Sequence, residues 1–354
     1  MKYLKNPIGV RGDCLYCPLP VAIDSYWNCL VDCHHCYFRR LNHTWGKELR
    51  PAQPSEIKKK LVNGLKNKSP KTALANALAK KKTIRIGNKS DPLQPVEDQY
   101  KVTKRIIAIL TDLDWSFVIQ TRFTERLMLY EDLLLRAGRR GLVTLLPVMS
   151  PGLSKDWRLL EKRITTPPRL RLRHASYFLK KKIPVGFQGE PFIPGFHEPE
   201  DFERAVRLLR DAGIRRYNTY NFHFNAFVAK RLAEIGVDIE RIWYYNQDAQ
   251  WKPILRRLLE IAKKYDIILG CPDFVNTGPD WYEKANTCCG IDVPNPCTYN
   301  THYWKGYLQE GRSPEDVEGL TWDGVGNRAE GKKIITGRGS KFYTMRDAGV
   351  LDEF

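Results

Sequence analysis

At 354 residues and 42% hydrophobic content, the chain is long enough to bury a substantial core, and its composition excludes a disordered or fibrous protein. Lys and Arg number 58 against 40 Asp and Glu, a formal net charge of +18. A surplus of that size favours polyanions through counterion release, so nucleic acid is the first partner to expect.

The opening residues, Met1 to Pro7, lack an apolar signal core, and no stretch of eighteen apolar residues follows anywhere. The expectation is a cytoplasmic protein with no membrane partner. In a reducing compartment the nine cysteines point to metal ligation over disulfides. Cys14 and Cys17 fall in an N-terminal extension over residues 1–20. A strand expected over 21–27 runs into Cys29-x-x-x-Cys33-x-x-Cys36, three thiolates on one tight loop. At that spacing they can hold three irons of a [4Fe-4S] cluster and leave the fourth iron open. A second reading of the same residues is zinc: Cys14-x-x-Cys17 with Cys33-x-x-Cys36 matches a four-thiolate zinc ribbon, and Cys29 is then spare.

Further strands are expected over 83–87, 115–121, 141–148, 183–187, 216–222 and 267–270, with helical spacing over 97–110, 130–137, 169–182, 200–212 and 252–265. Strand alternating with helix implies a parallel α/β sheet whose reactive residues sit at the carboxyl ends of the strands. Two basic runs stand out. Lys58, Lys59, Lys60, Lys66, Lys68, Lys71, Lys80, Lys81 and Lys82 form one, and Arg169, Arg171, Arg173, Lys180, Lys181 and Lys182 the other. Each run alone reads first as a solvated helix face, and it is the global excess that points to a polyanion.

The cysteine loop resembles the signature of the radical S-adenosylmethionine superfamily. That resemblance implies an incomplete (β/α) barrel over residues 21–270, a [4Fe-4S] cluster on Cys29, Cys33 and Cys36, and S-adenosylmethionine at the open iron. It also implies a one-electron reductant such as flavodoxin or ferredoxin. The residue before the third cysteine is usually aromatic in the superfamily, and here it is His35, also flat but able to titrate. The run from Ser90 through Asp91, Pro92, Leu93, Gln94, Pro95 and Val96 to Glu97 is similar to that of proteins related to spore photoproduct lyase. Thr121-Arg122-Phe123 and Glu190-Pro191-Phe192-Ile193-Pro194-Gly195 resemble two later runs of that branch. By that likeness Ser90, Asp91, Arg122 and Glu190 lie at strand ends near the cofactor, with Ser90 and Arg122 bonding its ribose or carboxylate. Capping of the next helix by Ser90 and Asp91, and an ion pair for Arg122, are the alternatives. Spore photoproduct lyase has a hydrogen-donating cysteine two residues before its Ser-Asp pair. Here that position is Asn88, which points to a modification other than dimer repair.

Residues 271–354 read as a cap that carries Cys271, Cys288, Cys289 and Cys297. These thiols, with Cys14 or Cys17, are candidates for a second iron-sulfur cluster, for structural zinc or for unligated packing. The combined expectation is a radical S-adenosylmethionine enzyme that modifies a nucleic acid or nucleobase. Its rivals are a radical enzyme acting on a peptide or small molecule, and a zinc-ribbon protein that binds nucleic acid.

Overall fold

The computed structural model of the chain describes residues 2–10, 19, 21–36, 38, 48–70, 72–189, 191–219, 222, 224–270 and 292–296. Strand β1 (Ile8–Val10) pairs antiparallel with β2 (Val21–Ile23), and a short ribbon of β3 (Tyr26–Trp27) and β4 (Arg50–Pro51) follows. Beside β2 lie β5 (Ile84–Ile86), β6 (Phe117–Thr121) and β7 (Val143–Pro147), all parallel. Strands β8 (Phe187–Gln188), β9 (Arg216–Asn218) and β10 (Ile268–Gly270) form a second parallel sheet. Parallel bridges Leu145 to Val185 and Val148 to Gln188 join the two sheets. The result is seven parallel strands edged by β1. Among the described residues no pairing joins β10 back to the first sheet, so the barrel is incomplete.

All five residues of β7 are buried, as are four of five in β6. That is the mark of parallel strands covered on both faces, here by the sheet interior and by helices. The covering helices are α1 (Pro54–Lys66) and α2 (Ala73–Ala79) before β5, then α3 (Glu97–Tyr100) and α4 (Val102–Asp112) before β6. Next come α5 (Thr124–Leu129) and α6 (Glu131–Arg139), and α7 (Ser154–Leu159) and α8 (Pro168–Lys180). The last are α9 (Pro199–Asp211), α10 (Ala226–Ala233), α11 (Ile239–Tyr245) and α12 (Asp248–Lys264). Among the described residues no helix is long and apolar enough to cross a membrane.

The structure departs from the sequence expectations in two instructive places. The helix expected over 97–110 breaks at Lys101, whose φ is 48°. The cause is Glu97, fully buried, whose carboxylate accepts from the amides of Thr103 (3.0 Å) and Lys104 (2.9 Å) and so caps a new helix start. The same carboxylate accepts from the hydroxyls of Tyr26 and, at 2.9 Å, Tyr130. The strand expected over 21–27 turns at Asp24, whose carboxylate accepts the amides of Asn88 (3.2 Å) and Lys89 (2.8 Å). Residues 292–296 cross the amino-terminal rim of the sheet: the amide of Thr83 donates to Asn295 O (2.8 Å), and Arg216 pairs with Asp292.

Replacing Glu97 with Ala strands two buried tyrosine hydroxyls and uncaps α4. Each hydrogen bond to a charged group is worth about 1.5–3 kcal/mol. We expect Glu97→Ala to lose more than about 3 kcal/mol in a denaturant titration, with Glu97→Gln intermediate.

Candidate metal centre

The loop from Asn28 to Cys36 leaves the carboxyl end of the β2–β3 segment, on the rim where the parallel strands end. It has to bend sharply, and two non-glycine residues take left-handed backbone to do it, Asn28 (φ 71°) and Asp32 (φ 52°). Asn and Asp tolerate that region best, and the Asn28 side chain accepts the Cys29 amide at 2.9 Å. The Cys36 amide closes a turn on Cys33 O at 3.1 Å.

Neighbouring strand ends hold this loop in place. Gln94, fully buried, clamps its start by accepting the Leu30 amide (2.7 Å) and donating to Asn28 O (3.0 Å). Ser90 Oγ donates to Tyr26 O at 2.7 Å. Asp91 joins the ends of β5 and β6, accepting from the Leu93 amide (2.9 Å), Thr121 Oγ1 (2.7 Å) and the Arg122 amide (2.6 Å). Gly87 makes the turn possible: at φ +89° a Cβ would lie 2.5 Å from Pro92 Cδ and 2.8 Å from Gln120 O. The Ser90 to Glu97 run is therefore a brace under the cysteine loop, and both oxygens of Asp91 are engaged within it.

Among the described residues the three thiols form no disulfide, and Cys33 is buried while Cys29 and Cys36 are partly so. Burial, with the Asp91 carboxylate second, pushes the Cys29 thiol up to about 11, and burial pushes Cys33 well above its ordinary value. Cys36 acts electrostatically on both, and Cys29 on Cys33, so the three sulfurs lie within one another's field. Among the described residues no three Cys, His, Asp or Glu side chains gather to hold a single ion. A cubane cluster asks for less convergence, because each thiolate takes a different iron, and the three thiols suit that donor set.

His35 is 6% exposed, and burial, reinforced by Arg122, draws its pKa down to about 3, so the ring is neutral. Among the described residues its buried Nδ1 has no hydrogen-bond partner, and its Nε2 lies 3.4 Å from Arg122 Nη2. Arg122 also donates from Nε to Glu161 at 3.2 Å. Glu161 is buried between two guanidinium groups, since Arg171 of α8 pairs with its other oxygen. Burial alone would raise the Glu161 carboxyl. Arg171 and Arg122 outweigh it and bring it down to about 2. Arg171 is thus 1% exposed in an ion pair, a correction to its reading as part of a basic surface.

The structure brings Cys29, Cys33, Cys36, His35, Ser90, Asp91 and Arg122 to one rim. Glu190, Cys14, Cys17, Cys271, Cys288, Cys289 and Cys297 lie outside the described residues. At Pro296, which accepts from Lys82 Nζ at 3.0 Å, the chain is on the opposite rim from the cysteine loop. Sequence reasoning missed Glu161, Gln94 as a clamp, and two buried hydroxyls at strand ends that have no hydrogen-bond partner among the described residues, Ser150 after β7 and Thr219 after β9. No local pattern distinguishes them; burial at a strand end does.

No family model matches the sequence, and no curated protein matches it. Solved structures are similar in fold. A cysteine-to-alanine, serine-to-cysteine variant of spore photoproduct lyase with bound AdoMet and dinucleoside spore photoproduct aligns with 70% of this chain and 74% of its own. Its sequence identity is 14% and its TM-score 0.52. A tyrosine-to-phenylalanine variant of that enzyme aligns over 72% and 76%, at 14% identity and a TM-score of 0.52. At such identity the shared property is the fold, the partial (β/α) barrel of the radical S-adenosylmethionine type.

Removing one partner of a buried ion pair costs about 3–5 kcal/mol. We expect that loss for Glu161→Gln at neutral pH, read as a lowered denaturation midpoint. Because the folded carboxyl is depressed, its contribution is fully present above the ordinary carboxylate range of about 4.3 and fades as pH falls toward 2. The wild-type protein should lose stability across that window, and Glu161→Gln should lack that component of the loss.

Proposed function

We propose that the chain holds a [4Fe-4S] cluster on Cys29, Cys33 and Cys36 and uses it with S-adenosylmethionine to begin radical chemistry on a nucleic acid or nucleobase. The observation that carries this reading is the set of three cysteines within one another's field, on a loop braced by neighbouring strand ends, on the carboxyl rim of a partial barrel. The chemistry that such a cluster and S-adenosylmethionine supply when bound is one-electron cleavage of the sulfonium to a 5′-deoxyadenosyl radical. A one-electron carrier of the flavodoxin or ferredoxin class would reduce it.

In this reading the protein's own groups bind and orient. Arg122, fixed by Glu161, presents a permanent cation beside the thiols, suited to a cofactor carboxylate. The hydroxyl of Ser90 keeps its acceptor lone pairs while donating to Tyr26 O, and is suited to a ribose hydroxyl. His35, neutral and flat, offers a face and one unpartnered nitrogen. The hydroxyls of Ser150 and Thr219 are available to polar atoms of a ligand in the mouth. The role of Glu190 and an auxiliary cluster on the C-terminal cysteines belong to the same proposal. Asn88, held by Arg85 where a hydrogen-donating thiol would be required, favours a modification other than dimer repair.

The nucleic-acid part of the proposal rests on charge, and on the dinucleoside bound to the similar lyase. Helix α8 and the turn after it carry the exposed cations of the second basic run. The helix returns from the carboxyl rim, where Arg171 Nη1 donates to Val148 O, toward the start of β8. Arg169 and Arg173 therefore lie nearer the mouth than Lys180, Lys181 and Lys182. Two other members of the basic runs, Arg171 and Lys82, are buried and unavailable.

Protein purified without oxygen should be brown and should release 5′-deoxyadenosine from S-adenosylmethionine when reduced. Replacing Cys29, Cys33 and Cys36 together by Ala should abolish the release; about four irons remaining in that variant would establish an auxiliary cluster, and none would leave a single cluster. A colourless protein with one zinc per chain contradicts the proposal.

Binding to DNA or RNA should weaken with salt, each neutralised phosphate contributing a slope of about −0.9 for duplex DNA or about −0.7 for single strands. Reversing the charge of Arg169 and Arg173 should lower that slope more than reversing Lys180, Lys181 and Lys182. Turnover that needs no polyanion favours a peptide or small-molecule substrate.

A further inference from the structure

We propose that Arg231 of α10 is a positioning residue for the metal centre, one that fixes the peptide of Cys33 and raises the reduction potential of a cluster bound there, an inference that rests on the cluster reading of Cys29, Cys33 and Cys36. Its guanidinium reaches across the barrel end to the middle of the cysteine loop. There Nη1 donates to Cys33 O (2.9 Å), and Nη2 donates to Asp32 O (3.0 Å) and to Asp32 Oδ1 (2.9 Å). The group is held on its other side by the Phe227 ring, 5.7 Å from Cζ to the centroid, and the residue is only 9% exposed.

The platform behind this contact is rigid. Asn225 caps α10 by accepting the Val228 amide at 3.1 Å, and Val228 and Leu232 are fully buried in an apolar cluster with Leu160, Ile193, Phe222 and Ile242. Leu160 of that cluster accepts the amide of His34, next to Cys33, at 3.0 Å. The loop is thus fastened twice to one secondary core, on either side of the same ligand residue. Asp32 carries left-handed backbone at φ 52°, and the bidentate guanidinium opposes relaxation of that strain.

Charge gives the contact its second consequence. On the outer side of Cys33 the facing ionised groups are Arg231, Lys162 and Asp32, two cations to one carboxylate, with Lys162 Nζ 2.7 Å from Asp32 Oδ2. On the inner side Arg122 and Arg171 face Glu161 and Asp91, two cations to two carboxylates. A metal centre between these two groups has four cations to three carboxylates around it, and the surplus, which lies on the Arg231 side, favours its reduced, more negative state. Net charge, hydrogen bonds near the sulfurs and solvent exposure are the levers that set such potentials. Arg231 is the buried member of the outer group and touches the ligand peptide itself, so its charge should weigh more than that of Lys162.

The test is an EPR-monitored redox titration of anaerobically loaded full-length protein, with iron content and denaturation midpoint measured alongside. Arg231→Gln should give a more negative midpoint potential, and Arg231→Lys, which keeps the charge but loses the fork, should lie between it and wild type. Asp32→Asn, nearly isosteric, removes the carboxylate and should shift the potential the opposite way, so the proposal stays testable if Arg231→Gln does not fold. Unchanged potentials in Arg231→Gln and Asp32→Asn, whatever happens to stability or iron retention, overturn it and leave Arg231 as loop support alone. Absence of iron from the loaded wild-type protein would overturn the cluster reading before any variant is compared.

Discussion

The cysteine loop cannot hold its own shape, and much of the rim is organised around that constraint. Nine residues from Asn28 to Cys36 include two in left-handed backbone and a turn at Cys33, with little regular structure to stabilise them. Its support comes from outside: Gln94 at the start, Leu160 and Arg231 in the middle, and Arg122 beside His35 at the end. These residues belong to four separate strand–helix units, so the cysteine loop is preformed only when the barrel is. Each brace in turn needs its own support, as Arg122 needs Glu161 and Glu161 needs Arg171.

This arrangement explains why some of the site was legible in the sequence. The three cysteines and the Ser90 to Glu97 run are local patterns, and local spacing survives in one dimension. The strand and helix order was legible for a similar reason, since buried parallel strands such as β6 and β7 are continuous apolar runs. Arg231 was not legible, because it lies 198 residues from the carbonyl it serves and looks like any other helix arginine. Glu161 and Ser150 were missed for the same cause: their chemistry is a matter of burial and partners. The broken helix at Lys101 failed differently, since the periodicity over 97–110 is helical on both sides of a break made by one buried carboxylate.

Charge shows how composition misleads when it is not divided by burial. Arg171 and Lys82 contribute to the net charge of +18 but are buried, and each has a structural partner, in Glu161 and in Pro296 O. The cations left exposed on α8 are distributed along its length from the carboxyl rim to the opposite one. The first part of that helix is the part nearest the mouth. The polyanion hypothesis therefore concerns a few named side chains near the rim more than a global surplus.

The central claim is that the three thiols present a cluster with one iron open to a small ligand. Its most direct test is the EPR spectrum of the reduced, iron-loaded protein recorded with and without S-adenosylmethionine. The account predicts a [4Fe-4S] signal whose g-values change when S-adenosylmethionine is added, because the added molecule coordinates the cluster. A cluster signal that S-adenosylmethionine leaves unaltered, or no signal in protein loaded with iron and sulfide, would contradict it.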